Sequence, residues 1–267
     1  MRGPPLSGTM TNGYDLSLIV PTYNERANLE RLVTAVASVL ADHRIAGELV
    51  VVDDHSPDGT GDLADRLAER FPMQVVHREG KMGLGSAVMA GFGRASGEIL
   101  GVMDADLSHP PSVLPGMLAV MRTLDADIVV GSRYVPGGGS INWPWRRRVM
   151  SRLAGLLARP VTPVRDATSG LFLVRRRAVE GVRISATGFK ICLELLSRGR
   201  IESVAEIPFV FVDRAVGVSK MSAREAFGYL RQLRDLYALR LAAGPASGAR
   251  YRPVAEEEMR AWARPAE

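Results

Sequence analysis

Two acidic side chains, Asp104 and Asp106, follow the apolar run Ile99–Met103 and stand one residue apart. In an extended segment, side chains at positions i and i+2 point the same way, with backbones about 6.5–7 Å apart. Such a pair can share one hard cation, which prefers oxygen ligands and leaves positions open for phosphate oxygens. An aspartate here could instead cap a helix ahead of an exposed turn. Because burying charge without a partner is costly, the position after a buried strand favours a Mg²⁺ or Mn²⁺ site.

A second acidic pair, Asp53-Asp54, ends another apolar run, and the turn-forming stretch Ser56–Thr60 follows it. An aspartate in this position can accept a hydrogen bond from the ring N–H of a nucleobase or from a ribose hydroxyl. We therefore assign Asp54, with the backbone near Val52, to nucleoside contact. Asp58 is assigned to turn and cap chemistry, for which an Asp-Gly pair is typical.

Apolar runs alternate with helical patterns from Leu16 to about Ser132, which predicts an α/β fold with a parallel sheet and helices on both faces. The predicted strands are Leu16–Val20, Glu48–Val52, Gln74–His77, Ile99–Met103 and Ile128–Gly131. The predicted helices lie near Asn28–Leu40, Gly61–Arg70, Gly85–Ala95 and Ser112–Leu124. Sheets of this kind bind ligands beyond the carboxyl ends of their strands. The polar residues that follow these strands should therefore form one site.

The second half of the chain has a less regular pattern. Gly137–Ser140 suggests a flexible break. Further elements are predicted as strands at Leu171–Val174 and Ala205–Val212 and as helices at Phe189–Arg198 and Ser222–Leu241. We expect residues 1–13 to be a disordered extension, residues 14–242 to be a single domain that ends in the amphipathic helix, and residues 243–267 to be a flexible tail.

The composition narrows the classes of partner. The chain has 34 Lys and Arg residues against 29 Asp and Glu residues, a net charge of +5, which suits an anionic partner. No nucleic-acid-binding module is recognisable, and the single Cys192 excludes an internal disulfide. No segment approaches the roughly 18 consecutive apolar residues of a spanning helix, and no signal-peptide core is present. We therefore expect a cytoplasmic protein that can lie on a membrane.

Six motifs together resemble the family 2 glycosyltransferases and, within them, the dolichol-phosphate (polyprenol-phosphate) mannose synthases. The motifs are Pro21-Thr-Tyr-Asn-Glu25, Val52-Asp-Asp54, Ser56-Pro-Asp-Gly-Thr60, Asp104-Ala-Asp-Leu-Ser-His-Pro110, Gly131-Ser-Arg-Tyr134 and Val212-Asp-Arg-Ala-Val-Gly-Val-Ser-Lys-Met221. The resemblance spans roughly Leu16–Leu241, with the motifs in matching order. It implies a GT-A fold, with a mostly parallel Rossmann-like sheet flanked by helices, and a nucleoside-diphosphate sugar as donor.

The resemblance also implies roles for individual residues. The nucleoside would be held by Pro21, Tyr23, Glu25, Val52 and Asp54. The diphosphate and its Mg²⁺ or Mn²⁺ would be held by Asp104, Ala105 and Asp106, with Ser108 standing where relatives often carry a metal-binding Gln. Arg133 would reach the donor or the acceptor phosphate, and Arg214 and Lys220 would come from a mobile acceptor loop.

The implied reaction is an inverting transfer of mannose from GDP-mannose to a polyprenyl (dolichyl) phosphate. A phosphomonoester has a second pKa of about 6, so the acceptor is mostly dianionic at neutral pH and needs no general base. The site must instead offset repulsion between two anions, which a metal ion, Arg133, Arg214 and Lys220 could do. Alternatives are a UDP-glucose or UDP-N-acetylglucosamine donor, or a catalytically silent nucleotide-binding protein.

The stretch Trp143–Arg148 combines tryptophans with three arginines ahead of Leu153, Leu156 and Leu157. A helix of this composition can lie on an anionic membrane beside a polyprenyl chain. It can equally be an amphipathic helix packed on the sheet. A membrane surface or a membrane protein is therefore a possible further partner.

Overall fold

The structure is a computed structural model that describes residues 13–182, 190–213, 223–243 and 249–263. The predicted disordered extension falls almost wholly outside these ranges. Ten strands occur within them: β1 Leu16–Thr22, β2 Gly47–Asp53, β3 Met73–His77, β4 Ile99–Val102, β5 Ile128–Ser132, β6 Gly139–Ile141, β7 Phe172–Arg175, β8 Ser203–Pro208, β9 Val210–Val212 and β10 Arg250–Pro253.

Nine α-helices connect or flank these strands within the described ranges. They are α1 Arg26–Asp42, α2 Thr60–Ala68, α3 Leu84–Arg94, α4 Leu114–Thr123, α5 Trp145–Ala158, α6 Arg176–Val179, α7 Ile191–Arg198, α8 Ala223–Ala243 and α9 Glu256–Trp262. No helix in the described part of the chain is long and apolar enough to cross a lipid bilayer.

The main sheet has the strand order β10-β8-β5-β7-β4-β1-β2-β3, and only β7 runs antiparallel to its neighbours. Successive residues of β1 point to opposite faces, so Leu18 packs in one apolar cluster and Ile19 in the other. Helices α1, α2, α4 and α9 cover the first face, and α3, α7 and α8 cover the second. The predicted mostly parallel sheet with helices on both faces is confirmed.

The predicted strand Ala205–Val212 is wrong as a single element. The chain leaves the main sheet after Pro208, which has no N–H to continue the ladder, and β9 pairs with β6 in a separate two-stranded sheet. The same pairing corrects the expected flexible break at Gly137–Ser140, because Gly139 and Ser140 belong to β6.

The expected flexible tail at residues 243–267 is also wrong over residues 250–262. Strand β10 adds to the edge of the main sheet beside β8, and α9 packs on α4, where Met259 fills the space beside Gly116. The polar composition of Arg250–Pro253 concealed the strand. An edge strand tolerates such residues, including a terminal proline, because one of its sides is unpaired.

A buried carboxylate ties together the amino-terminal ends of the central strands. Glu48 on β2 accepts hydrogen bonds from the hydroxyl of Ser17 at 2.7 Å, from the backbone N–H of Ser96 at 2.7 Å and from the side chain of Gln74 at 2.8 Å. Burial raises the pKa of Glu48, but these hydrogen bonds outweigh it, and the net pKa lies below the ordinary value. The ionised carboxylate is therefore part of the native packing.

We predict that Glu48→Gln destabilises the fold by about 1–3 kcal/mol at pH 7, because an amide replaces an anion surrounded by donors. A carboxylate with a depressed folded-state pKa stabilises the protein above its unfolded pKa, and this contribution is lost as the pH falls through the folded pKa. Urea unfolding between pH 7 and pH 3.5 should show the wild-type advantage shrinking with acid. An advantage that is independent of pH would contradict this role.

Candidate active site

Three loops leave adjacent strands at the carboxyl edge of the sheet. Strand β1 lies between β2 and β4, with Pro21 opposite Val52 and Ile19 opposite Val102. Each loop turns through a non-glycine residue with positive φ: Asn24 at 61°, His55 at 58° and Leu107 at 61°. This left-handed conformation is uncommon outside glycine, and such residues cluster at functional sites. The three predicted motifs therefore meet at one edge.

Asp53 has a structural role at this edge. Its carboxylate accepts hydrogen bonds from the Ser56 N–H at 2.9 Å, the Ser56 hydroxyl at 2.5 Å and the Thr22 hydroxyl at 3.0 Å. Asp58 likewise accepts from the N–H and hydroxyl of Thr60 and from the N–H of Arg26. These two carboxylates fix the β1 and β2 loops against each other, in line with the turn role expected for Asp58.

Asp54 is buried beside Arg78, and Oδ1 lies 2.7 Å from the Arg78 Nη1. Apart from this ion pair, Oδ1 makes no hydrogen bond with a described residue and can accept a further one. Burial raises the pKa of Asp54, although the Arg78 charge and the N–H groups of Gly83 and Met82 oppose this effect. A buried acceptor oxygen of this kind suits the N–H group of a bound base.

The other residues expected at the nucleoside lie around Asp54. Val52 is fully buried and Pro21 half-buried, whereas Tyr23 is exposed and carries the Lys81 ammonium 4.1 Å above its ring centre. Glu25 is half-buried and accepts a hydrogen bond from the side-chain amide of Asn28 at 2.9 Å. The aromatic face and its cation form the outer rim of this part of the site.

The acidic pair follows β4. Asp106 is buried and accepts hydrogen bonds at Oδ1 from the N–H of Ser108 at 3.0 Å and from its hydroxyl at 2.5 Å, whereas the side chain of Asp104 is 33% exposed. Ala105 is buried between them. Ser108 thus orients Asp106 in this structure, and its expected role as a metal ligand stays a prediction.

Two further residues define the surroundings of Asp104. His109 is completely buried, and its Nδ1 lies 3.8 Å from Asp104 Oδ2 and makes no hydrogen bond with a described residue. Burial lowers the pKa of His109 although the neighbouring carboxylates raise it, so the imidazole is neutral at pH 7. A Cβ added at Gly170 would lie 2.8 Å from the same oxygen, Asp104 Oδ2. A methyl group at position 170 would therefore force the Asp104 carboxylate to move.

Arg133, which follows β5, is held by Asp166 through two hydrogen bonds of 2.7 Å. Asp166 is fully buried and the Arg133 side chain is 10% exposed. Burial lowers the pKa of the guanidinium, but Asp166 outweighs this effect and the net pKa lies above the ordinary value. The guanidinium also lies 4.9 Å from the Trp143 ring centre and 5.7 Å from that of Phe211. Arg133 is a fixed, permanent cation at this edge.

Trp143 is buried, so of the two alternatives left open for the stretch Trp143–Arg148 this residue follows the packed one. Its ring packs edge-on to Phe211 at 5.0 Å and lies under the Arg147 guanidinium at 4.2 Å. Arg147 in turn pairs with Asp213 at 2.8 Å. These contacts anchor the start of α5 to the site.

Arg214 and Lys220 lie outside the described residues. Strand β9, which precedes them in the sequence, contacts the acidic motif, because the Val212 N–H donates to the carbonyl of Ser108 at 3.2 Å. The described chain therefore reaches Asp213 next to the acidic motif.

The donor set fits a hard divalent cation shared with a diphosphate. Asp104 and Asp106 supply carboxylate oxygens, and Mg²⁺ is commonly held by one or two carboxylates together with substrate phosphates. Among the described residues, no group of three or more His, Cys, Asp or Glu side chains could hold a metal ion by itself. Gly170 has no side chain to cover the Asp104 carboxylate, which stays accessible.

The sequence profile described as "Glycosyl transferase family 2" matches residues 17–183, which include β1–β5, β7 and the acidic motifs. The chain belongs to glycosyl transferase family 2. It is 43% identical over 222 residues to the dolichol-phosphate mannosyltransferase of Pyrococcus furiosus, covering 82% of this chain and 62% of the relative. The chain thus spans less than two thirds of the length of that relative.

Two other relatives are covered more fully. The chain is 37% identical over 240 residues to the dolichol-phosphate mannosyltransferase of Saccharomyces cerevisiae, covering 86% of this chain and 89% of the relative. It is 43% identical over 217 residues to the polyprenol monophosphomannose synthase of Mycolicibacterium smegmatis, covering 77% and 80%.

The fold is that of GT-A-like glycosyltransferases. Glucosyl-3-phosphoglycerate synthase of Mycobacterium tuberculosis, crystallised with Mn²⁺ and UDP-glucose, superposes with a TM-score of 0.61 at 21% identity, covering 88% of this chain and 82% of that one. At this identity the likeness concerns the fold alone. It confirms the α/β architecture expected from the sequence.

Sequence reasoning missed four residues of the site, Arg78, Lys81, Asp166 and Gly170, and it gave no role to His109 within the acidic motif. Arg78 and Lys81 follow β3 and could have been found by the strand-end rule that located Asp54. The Asp166–Gly170 loop precedes an antiparallel strand instead, so that rule does not reach it. Its contacts with Arg133 and Asp104 appear only in the folded chain.

We predict that Gly170→Ala weakens Mn²⁺ binding about tenfold or more in the presence of GDP, because the added methyl group displaces the Asp104 carboxylate. The free-Mn²⁺ signal in electron paramagnetic resonance measures the affinity. Gly139→Ala is the matched control, since a Cβ there meets no atom within 4 Å. Equal Mn²⁺ affinity for both variants would contradict the close approach of Gly170 to Asp104.

Proposed function

We propose that this glycosyltransferase transfers mannose, with inversion, from GDP-mannose to a polyprenyl phosphate. The observation that carries the proposal is the acidic pair Asp104 and Asp106 beside a buried cation, Arg133, at one edge of the sheet. Relatives of 37–43% identity named for dolichol or polyprenol phosphate mannosylation support the choice of mannose and of a polyprenyl phosphate acceptor.

The nucleoside binds against Pro21, Tyr23, Glu25, Val52 and Asp54. The unused Oδ1 of Asp54 accepts an N–H of the base, and Arg78 keeps the charge of that carboxylate compensated. Tyr23, with Lys81 over its ring, closes the outer side of this pocket.

The diphosphate binds at Asp104, Ala105 and Asp106, with a Mg²⁺ or Mn²⁺ ion that offsets the charge of the leaving group when bound. Ser108 orients Asp106 through its hydroxyl. His109 stays neutral beside Asp104 and excludes water from its buried side.

The acceptor phosphate is its own nucleophile. Because its second pKa is about 6, it is mostly dianionic at neutral pH, so the site needs cations rather than a general base. Arg133 supplies one fixed positive charge, and we assign Arg214 and Lys220 to the same task. In sequence both residues follow Asp213. The preceding strand, β9, ends at Val212, whose N–H donates to the carbonyl of Ser108.

The chain acts at the cytoplasmic face of a membrane as a peripheral protein. Helices α5 and α8 are joined by hydrogen bonds from Tyr229 to the carbonyl of Ala154 and from Tyr237 to that of Leu157. Apolar side chains stand exposed along both helices: Trp145, Val149, Met150, Leu153, Leu156, Leu157, Phe227, Leu230 and Leu241. Arginines flank them, as in helices that lie on anionic lipid.

We predict that the purified chain with Mn²⁺ transfers radiolabelled mannose from GDP-mannose to a short polyprenyl phosphate. UDP-glucose and UDP-N-acetylglucosamine should neither serve as donors nor raise the melting temperature as GDP-mannose does. Transfer from a uridine nucleotide alone would replace the donor assignment, and no transfer from any of the three would refute the proposal.

In the same assay, Asp106→Asn should lower the rate of transfer about 100-fold or more, because an amide binds a cation poorly and leaves the diphosphate charge unbalanced. The fold should persist, since the amide oxygen can still accept from Ser108. Asp62→Asn, at an exposed carboxylate on α2, is the matched control. Similar losses in both variants would indicate a general defect instead.

We predict that Leu156→Glu reduces co-sedimentation with phosphatidylglycerol vesicles several-fold, because a charge replaces an apolar side chain that is 65% exposed. Thr34→Glu adds the same charge at an exposed position of α1, on the other face of the sheet. This control variant should bind vesicles as the wild type does. Vesicle binding by Leu156→Glu equal to that of the wild type would contradict a membrane contact through α5.

A further inference from the structure

A second buried carboxylate lies behind the Arg133–Asp166 pair. Glu206 on β8 is completely buried and accepts hydrogen bonds from the backbone N–H of Asp166 at 2.8 Å and from that of Arg165 at 3.0 Å. The hydroxyl of Tyr251 donates a third hydrogen bond to Glu206 Oε2 at 2.6 Å. Glu206 therefore fixes the backbone that carries Asp166.

Tyr251 comes from the carboxyl-terminal strand β10. It pairs with Val204 in the parallel ladder with β8, and the N–H of Val254 donates to the carbonyl of Glu206 at 2.9 Å. The strand is thus anchored by its backbone, independently of the phenol. Removal of the hydroxyl alone should leave β10 in place.

The phenol of Tyr251 helps to compensate buried negative charge in this network. Asp166 and Glu206 are two buried carboxylates. Among the described side chains that hydrogen-bond to either of them, only Arg133 carries a positive charge. A buried carboxylate is costly unless donors surround it. Burial raises the pKa of Tyr251, and Glu206 raises it further, so the phenol keeps its proton and remains a donor.

We propose that Tyr251 and Glu206 are positioning residues that hold the Arg133 guanidinium in place through Asp166. Strand β10 thereby helps to position the cation that offsets the charge of the anionic substrates during transfer. This inference rests on the proposed function, in which Arg133 carries charge for those substrates.

The first test is Tyr251→Phe in the full-length chain. Its kcat for mannose transfer should fall several-fold, while its melting temperature and its KM for the polyprenyl phosphate change little, because the charge remains but its position is less defined. Arg252→Gln is the matched control, since it removes an exposed ion pair with Glu258 from the next position of the same strand. A wild-type kcat for Tyr251→Phe overturns the proposal.

A double-mutant cycle with Arg133→Lys separates positioning from general support of the fold. Lysine cannot make the two-pronged contact with Asp166, so Tyr251→Phe should have little further effect on kcat in that background. Full additivity of the two effects overturns the positioning role of Tyr251. If Arg133→Lys by itself leaves transfer unchanged, the role assigned to Arg133 fails, and the positioning role of Tyr251 fails with it.

Discussion

Negative charge at the carboxyl edge of the sheet must be compensated, and the arrangement around this edge follows from that constraint. Buried carboxylates converge there on neighbouring strands and loops: Asp53, Asp54, Asp106, Asp166 and Glu206. Each is surrounded by hydroxyl, backbone or guanidinium donors. Since an uncompensated buried anion costs several kcal/mol, by rough transfer energies, these donors fix where the loops can run.

The same constraint explains the division of labour among the acids. Asp53 and Asp58 are saturated by the chain itself and hold the loops together. Asp54 Oδ1 can accept a further hydrogen bond, and the Asp104 carboxylate is partly exposed, so both can bind a ligand. The guanidinium of Arg133, which is held by Asp166, stands close enough for the Asp104 carboxylate to raise its pKa further. An edge built in this way suits two anionic substrates.

Much of the fold could be predicted because its first half is regular. The strands β1 to β5 are mostly apolar, and amphipathic patterns separate them, so both periodicities are visible locally. The errors fall where a local pattern is ambiguous. Pro208 interrupts what looks like one strand, and Arg250–Pro253 looks like a polar tail although it forms the sheet edge. For Trp143 the sequence left a membrane-facing and a packed helix open, and contacts with Phe211 and Arg147 decide for the packed one.

The sequence by itself determined which residues end the parallel strands, and so it located Asp54, Asp104 and Asp106 at one edge, because strand direction carries that information. Only the tertiary structure decided what holds the cation. Asp166 reaches Arg133 across 33 positions, and Tyr251 reaches Glu206 across 45. Hydrogen bonds of such separation leave no periodic trace along the chain, since they depend on how distant strands pack and not on any local spacing.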